Sequence, residues 1–219
     1  MLQTVEQETG ASPQWSIIWL HGLGADGHDF APIVPELVRP HWPALRVVFP
    51  HAPVRPITIN NGVPMRGWYD IVGMDFRSRA DMDGVRASVV ELDALIDREI
   101  ERGIPPQRIF LAGFSQGGAV VLTAALKRTA PLAGLIALST YLPEAETAQR
   151  AEGAVQVPVF MAHGTQDPVI PHAVATHSAD ALRTLGLQVE WHAYPMAHQV
   201  CADEIQALGD WLQQRLMAG

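Results

Sequence analysis

The sequence predicts an α/β fold: a central, mostly parallel sheet of about six to seven strands with helices on both faces, in one domain spanning residues 1–219. Three observations predict it. Short apolar runs alternate along the chain with segments of helical period. Most of those runs are continuously apolar, as expected of parallel strands covered on both faces. With 48% apolar and only 17% charged residues over 219 positions, the chain has material for one substantial core.

Taken in order, residues 2–8 suit an antiparallel edge strand. Residues 16–20 form the first core strand, followed by a glycine-rich loop, His21-Gly22-Leu23-Gly24-Ala25-Asp26-Gly27, and a helix that opens late through Pro32 and Pro35. Residues 45–49 are the next strand. Residues 50–80 break the alternation: four prolines, three glycines and no clear period. A structureless stretch of that length in a compact domain is usually functional. Its apolar members Val63, Met65, Trp68, Tyr69, Ile71, Met74 and Phe76 suit a pocket wall on the substrate side. A helix over 83–102 carries Val85, Val89, Leu92, Leu95, Ile96 and Ile100 at spacings of three and four, which marks one buried stripe. Asp81 or Asp83 can cap it, and Gly103 with Pro105-Pro106 stops it. Strands follow at 108–112, 134–138, 157–162 and 189–194. Between and after them lie a nearly all-apolar helix over 117–128, a helix over 173–185 closed by Gly186, and a last helix with Ile205, Leu208, Trp211, Leu212 and Leu216 on one face.

The chemistry is concentrated where the strand ending at Ala112 meets the helix after it. Gly113-Phe114-Ser115-Gln116-Gly117 is G-x-S-x-G, and in strand–turn–helix context this motif lifts a serine hydroxyl clear of the sheet edge. The helix beginning at Gln116 aims unpaired N–H groups and a positive dipole end at whatever the serine attacks. An ordinary turn serine in a glycine-rich connection is the structural alternative. The flanking elements favour Ser115 as a nucleophile.

A hydroxyl needs a base, and the base needs an orienting acid. In this architecture the chain order is Ser, Asp or Glu, His. His198 lies just past the last strand, where loops reach the active end of the sheet. His192 sits within that strand, and His172 and His177 open a helix five apart, too poorly aligned for a metal pair. Among the acids, Glu144, Glu146 and Glu152 read as surface, Glu190 as strand and Asp180 as mid-helix. Asp167 directly follows a strand, at the end where ligand chemistry collects in open α/β sheets. It also suits a helix N-cap with Pro168 at the first helical position, and one residue could do both.

Two N–H donors are expected for the oxyanion, the backbone of Gln116 and, from the loop after the first core strand, that of Leu23. His21 is expected to brace this loop by side-chain hydrogen bonds. The same loop matches G-x-G-x-x-G, a dinucleotide fingerprint, but the acid required at the end of the second strand is missing from Val48-Phe49-Pro50-His51. We therefore set the dinucleotide reading aside.

Together, His-Gly-Leu-Gly, Gly-Phe-Ser-Gln-Gly-Gly, His-Gly-Thr-Gln-Asp-Pro-Val, Ala-His-Gln-Val and Met65-Arg66-Gly67-Trp68-Tyr69-Asp70-Ile71 resemble the carboxylesterase and acyl-protein thioesterase (lysophospholipase-like) family of small α/β-hydrolases, from about residue 16 to residue 216. The resemblance implies Ser115, Asp167 and His198 as a triad, Leu23 and Gln116 as oxyanion donors, an apolar acyl groove near Leu23, Trp68, Ile71 and Val169, and no cofactor. Ala197 stands where the family commonly has glycine, which implies a slightly altered loop around an unchanged histidine. The family spans carboxylic esters, lysophospholipids and S-acylated proteins. The expected activity is hydrolysis of short- to medium-chain carboxylic esters, small or lipid-like, through an acyl-enzyme, with acyl-protein thioesterase or lysophospholipase activity at the same site as the alternative. A non-catalytic binding protein on this fold has no need of an ordered triad, and a dienelactone-type hydrolase would carry cysteine at the elbow.

Bulk properties narrow the partners. A net charge of −8 without a basic run argues against nucleic acid. No run of roughly 18 apolar residues suits a membrane span. No H-E-x-x-H or clustered Cys/His set suggests a metal. The single cysteine, Cys201, and an N-terminus without a signal core suggest a cytoplasmic setting. With few residues outside the core elements there is no room for a large cap, so an open, shallow groove is expected. The apolar 50–80 segment is equally suited to a homodimer interface.

Overall fold

The computed structural model describes residues 2–154 and 156–217. Seven strands form one sheet: β1 (Thr4–Glu8), β2 (Trp15–Leu20), β3 (Leu45–Pro50), β6 (Ile109–Phe114), β7 (Gly134–Leu138), β8 (Pro158–Gly164) and β9 (Gln188–Tyr194). Their spatial order is β1-β3-β2-β6-β7-β8-β9. All neighbours pair in parallel except β1, which runs antiparallel to β3 with Val5 opposite Phe49. This matches the sequence expectation strand for strand, including the antiparallel edge.

The helices are α1 (Val34–Leu37), α2 (Met82–Glu101), α3 (Gln116–Ala125), α4 (His172–Thr184) and α5 (Ala202–Leu216). They divide the core into two apolar layers. On one face, Val85, Leu92 and Ile96 of α2, the apolar residues of α3 from Ala119 to Ala125 and Ala175, Ala179 and Leu182 of α4 pack over Ile18, Leu111 and Leu135. On the other, Leu37 of α1 and Leu208, Trp211 and Leu212 of α5 cover Ile17, Phe110 and Phe160. A parallel sheet sandwiched in this way needs strands apolar on both sides, and β2, β3 and β7 are buried at every position.

Three expectations are corrected. The 50–80 segment is not structureless: β4 (Val54–Ile57) and β5 (Val63–Arg66) form a two-stranded hairpin around a 3₁₀ turn over Thr58–Asn60. Prolines hid it, because proline cannot donate to a ladder. Here Pro56 stands directly opposite Pro64, so both occupy a non-hydrogen-bonded pair and neither missing N–H is needed. The buried stripe of α2 ends a turn early: Ile100 is exposed and the buried residue of that turn is Glu99, drawn in by Arg46 and Arg102. The helix after the elbow ends at Ala125, three residues short of the expected end. The cap of α2 is Asp81, whose side chain accepts from Asp83 N–H.

Candidate active site

β6 delivers Ser115 at its carboxyl end in a backbone conformation, φ 54° and ψ −117°, that costs on the order of 1–3 kcal/mol for a non-glycine residue. Surrounding bonds offset that cost. Ser115 N–H donates to Leu138 O at 2.9 Å, its carbonyl accepts from Thr140 Oγ1 at 2.6 Å, and Ala119 N–H also donates to that carbonyl. The close turn needs glycine at Gly117, where a Cβ would collide with the carbonyls of Leu20 and His21.

Three strand ends meet here. His198, after β9, places Nε2 2.9 Å from Ser115 Oγ and Nδ1 2.7 Å from Asp167 Oδ2. Asp167 follows β8, and its other oxygen, Oδ1, accepts from the N–H groups of Val169 and Ile170 at 2.8 and 2.9 Å. It therefore does not cap a helix, since α4 starts only at His172 with Pro171 before it. Instead, Asp167 holds its own loop with one oxygen and the imidazole with the other. The loops carrying acid and imidazole are tied together by Thr165 N–H to Tyr194 O and Gln166 N–H to Met196 O. The ring of His198 lies against that of Phe114, with centroids 4.9 Å apart.

His163, assigned no role from sequence, is buried beside this acid. Its Nε2 lies 2.8 Å from Ile170 O and 3.3 Å from Asp167 Oδ2. Donation to the carbonyl fixes the proton on Nε2. Burial lowers its pKa below 6.5 and keeps the ring neutral. Only its position four residues before Asp167 could have flagged it.

The loop after β2 approaches from the other side. A Cβ on Gly22 would come within 3.5 Å of Ser115 Cβ, so this backbone passes directly over the serine. Neither Leu23 N–H nor Gln116 N–H, the latter at the first position of α3, donates to another of the described residues. His21 braces the loop as expected: Nδ1 lies 2.7 Å from Gly22 O and Nε2 accepts from Ala52 N–H at 3.1 Å. Burial holds its pKa below 6.5, consistent with an accepting Nε2. His51 adds a second brace, accepting from Gly27 N–H at 3.1 Å. Asp26, His28 and His51 bring one ligand atom each within 4.8 Å of one another. Asp26 Oδ1 is already occupied by the backbone and ring of His28.

A cavity of about 230 Å³ opens beside Ser115, walled by Leu23, Tyr69, Ile71, Tyr141 and Val169, with Arg79 as its charged member. Ile71 and Val169 thus stand where the resemblance implied. Trp68 does not. It is buried behind the wall, with its indole N–H donating to His21 O at 2.9 Å and its backbone N–H to Gln116 Oε1 at 2.7 Å. Gln116 Nε2 in turn donates to Tyr69 O at 2.7 Å, so one amide ties the 50–80 segment to the serine's helix. Of the expected pocket-wall residues, Tyr69 and Ile71 serve this cavity. Met74 and Phe76 line a neighbouring groove of about 430 Å³ that does not touch Ser115.

Other residues weighed from the sequence are placed elsewhere. His192 stacks on Phe160 in β9 and pairs with Glu190 at 2.9 Å. Glu144, Glu146, Glu152 and Asp180 are exposed.

The family model for phospholipases and carboxylesterases matches residues 3–216. The chain belongs to the phospholipase/carboxylesterase family. Acyl-protein thioesterase 1 of Neurospora crassa is 40% identical over 212 residues, covering 92% of this chain and 86% of that protein. Among solved structures, Arabidopsis thaliana SOBER1 superimposes with a TM-score of 0.85 at 32% identity, over 92% of this chain and 99% of that one. Acyl-protein thioesterase 2 of Zea mays gives 0.83 at 26% identity over 99% and 100%. As a phospholipase/carboxylesterase family member, the chain is an α/β-hydrolase and a serine hydrolase of the ester-cleaving class. No helix among the described residues is long and apolar enough to cross a membrane.

Proposed function

We propose that this chain hydrolyses short- to medium-chain carboxylic esters through an acyl-enzyme on Ser115. The observation that carries the reading is the unbroken chain from Ser115 Oγ through His198 to Asp167, 2.9 and 2.7 Å long, supplied by three separate strand ends. His198 Nε2 takes the hydroxyl proton as Oγ attacks the carbonyl carbon. Asp167 holds the proton on Nδ1, so that Nε2 is free to accept, and stabilises the imidazolium that forms. The N–H groups of Leu23 and Gln116 receive the oxyanion, each worth roughly 3 kcal/mol. As the intermediate collapses, His198 returns the proton to the leaving atom. Water then enters and attacks the acyl carbon as His198 takes its proton; when the bond to Ser115 Oγ breaks, His198 returns that proton to Oγ and the acid leaves. The cavity bounded by Leu23, Ile71 and Val169 takes the acyl chain; its modest volume supports short to medium lengths. The site requires neither metal nor cofactor in this scheme.

A second reading, hydrolysis of acyl thioesters at the same site, is favoured by the thioesterase relatives at up to 40% identity. Sulfur leaves more readily than oxygen, and no additional residue is required. Hydrolysis of p-nitrophenyl esters of increasing acyl length by wild type and Ser115→Ala tests the main reading. We expect activity with an optimum at short to medium chains, and its loss in the variant. A folded wild type that cleaves none of them, or a variant as active as wild type, would overturn it.

A further inference from the structure

His198 has two sides. One faces Ser115 and, beyond it, the cavity assigned to the acyl chain. On the other lies a separate cavity of about 470 Å³, lined by His198 itself, by Phe114, Phe30 and Ile33, and by the carboxylates of Asp29 and Glu36. Among its lining residues Asp29 and Glu36 are the charged ones, and none is lysine or arginine. Both carboxylates belong to exposed residues, and neither makes an ion pair with another of the described residues. The acyl-side cavity is the opposite in sign, with Arg79 as its only charged lining residue.

We infer that this second cavity is the leaving-group subsite, and that it selects esters or thioesters whose alcohol or thiol portion carries a positive charge beyond a short apolar stem. The inference rests on the hydrolase reading above, and its logic is proton delivery. When the tetrahedral intermediate collapses, the bond from carbon to the leaving oxygen or sulfur breaks and its electron pair stays on that atom. The acyl group remains on Ser115 Oγ. The proton comes from His198 Nε2, so the leaving atom must be within reach of that nitrogen and its substituents must extend past the imidazole. Phe30, Ile33 and Phe114 then receive the carbon atoms next to the leaving atom. Asp29 and Glu36 meet whatever charge lies beyond. A cation there gains two unpaired carboxylates, whereas an anion meets like charge. The overall charge of −8 adds to this bias at a distance.

The test uses three butyryl thioesters that share one acyl group: those of thiocholine (cationic), mercaptoethanol (neutral) and mercaptopropanesulfonate (anionic). Free thiol is followed with wild type and with the Asp29→Asn/Glu36→Gln double variant. Comparing the two proteins cancels the intrinsic reactivity of the three thioesters. We expect the cation-to-anion ratio of kcat/KM to fall by roughly tenfold in the double variant. In wild type the same ratio should shrink as salt is raised from about 0.01 to about 0.5 M, because screening lengths contract from ~30 Å to under ~10 Å. The overall charge of −8 responds to salt as well, so the fall of the ratio in the double variant at fixed low salt decides the matter, with the rate on the neutral thioester showing that the variant is folded. A ratio indifferent to the variant overturns this inference alone. Failure of the folded wild type to cleave any of the three, the neutral one included, overturns the hydrolase reading and this inference with it.

Discussion

Two chains of charged and polar side chains run through this molecule, at opposite ends of the parallel strands. One links Asp167, His198 and Ser115 at the carboxyl ends of β8, β9 and β6. The other sits near the amino end of β3, where Arg46 contacts Glu8 of β1 and the fully buried Glu99 of α2. Arg98 and Arg102 join it, each pairing with Glu6 and approaching Glu99. Three arginines meet three glutamates, so the second chain is closed and balanced. The first has one carboxylate, one imidazole and a hydroxyl that faces a cavity. A network with every charge matched, centred on the buried Arg46 and Glu99, holds strands and helix in register; one with a member left facing a cavity has somewhere to send a proton. On the proposed mechanism the ionic chain is structural and the triad chain reactive for that reason, although both are built from hydrogen bonds.

The sharpest way to break the reactive chain without breaking the fold is Asp167→Asn. Oδ1 is fixed by Val169 and Ile170 N–H groups, so the amide oxygen takes that place and its NH₂ faces His198 Nδ1. The imidazole is then forced to carry its proton on Nε2, where it cannot accept from Ser115. We expect kcat to fall by about 10⁴-fold, with little change in melting temperature. Steady-state kinetics and thermal unfolding on the same sample check both halves.

Breaking the closed chain should do the reverse. Glu99→Ala leaves Arg46 buried without its inner partner, and we expect a loss of about 3–5 kcal/mol in denaturant titrations. The turnover number of the remaining folded protein should stay near wild type.

Glu204 lies between these cases. It is buried at the start of α5, near the loop that carries His198, and accepts from Cys201 N–H without a cation nearby; burial pushes its pKa to about 8. The folded state therefore holds a proton that the unfolded chain releases above about pH 4.5, so stability falls as pH rises from there toward 8. Glu204→Gln keeps the acceptor and removes the ionisation. We expect it to raise stability by about 1–3 kcal/mol at pH 8 and to change little at pH 4, as read from urea midpoints at the two pH values.

His21 and His163 give the smallest effect and the opposite sign. Burial holds both below their ordinary 6.5. The unfolded chain binds those protons first, so stability contributed by the neutral rings is complete above 6.5 and lost as pH falls below it. The expected slope is up to about 1.4 kcal/mol per pH unit for each ring, and it should be halved in His21→Gln if the two contribute equally. An unchanged slope would assign the acid sensitivity elsewhere.

How much of this was legible in the sequence depended on whether a role is written in local pattern or in distant neighbours. Continuous apolar runs gave the strands, and glycine spacing with chain order picked out Ser115, Asp167 and His198, which the fold brings within hydrogen-bond distance of one another. The hairpin at 54–66 escaped because its prolines argue against a strand until one sees them facing each other. Trp68 reads as a pocket-wall aromatic, yet its partners are a backbone carbonyl and the Gln116 amide, 47 and 48 positions away. Glu99 resembles any acid on the polar side of a helix. Only the edge strand folding over it, and the arginine opposite, make it a core residue. Asp167 showed a capping pattern that is real in its chemistry and mistaken in its object, since it caps a loop.

The order of the strands along the chain carries a consequence for biosynthesis. Ser115 and Asp167 follow β6 and β8, but His198 follows β9, the last strand among the described residues and one edge of the sheet. A growing polypeptide that has emerged through β8 already contains Ser115 and Asp167 but lacks His198, the group that approaches the serine hydroxyl. On the proposed mechanism, hydrolytic power is withheld from the nascent protein until its final strand docks, so the half-made molecule is chemically silent toward the acyl groups around it.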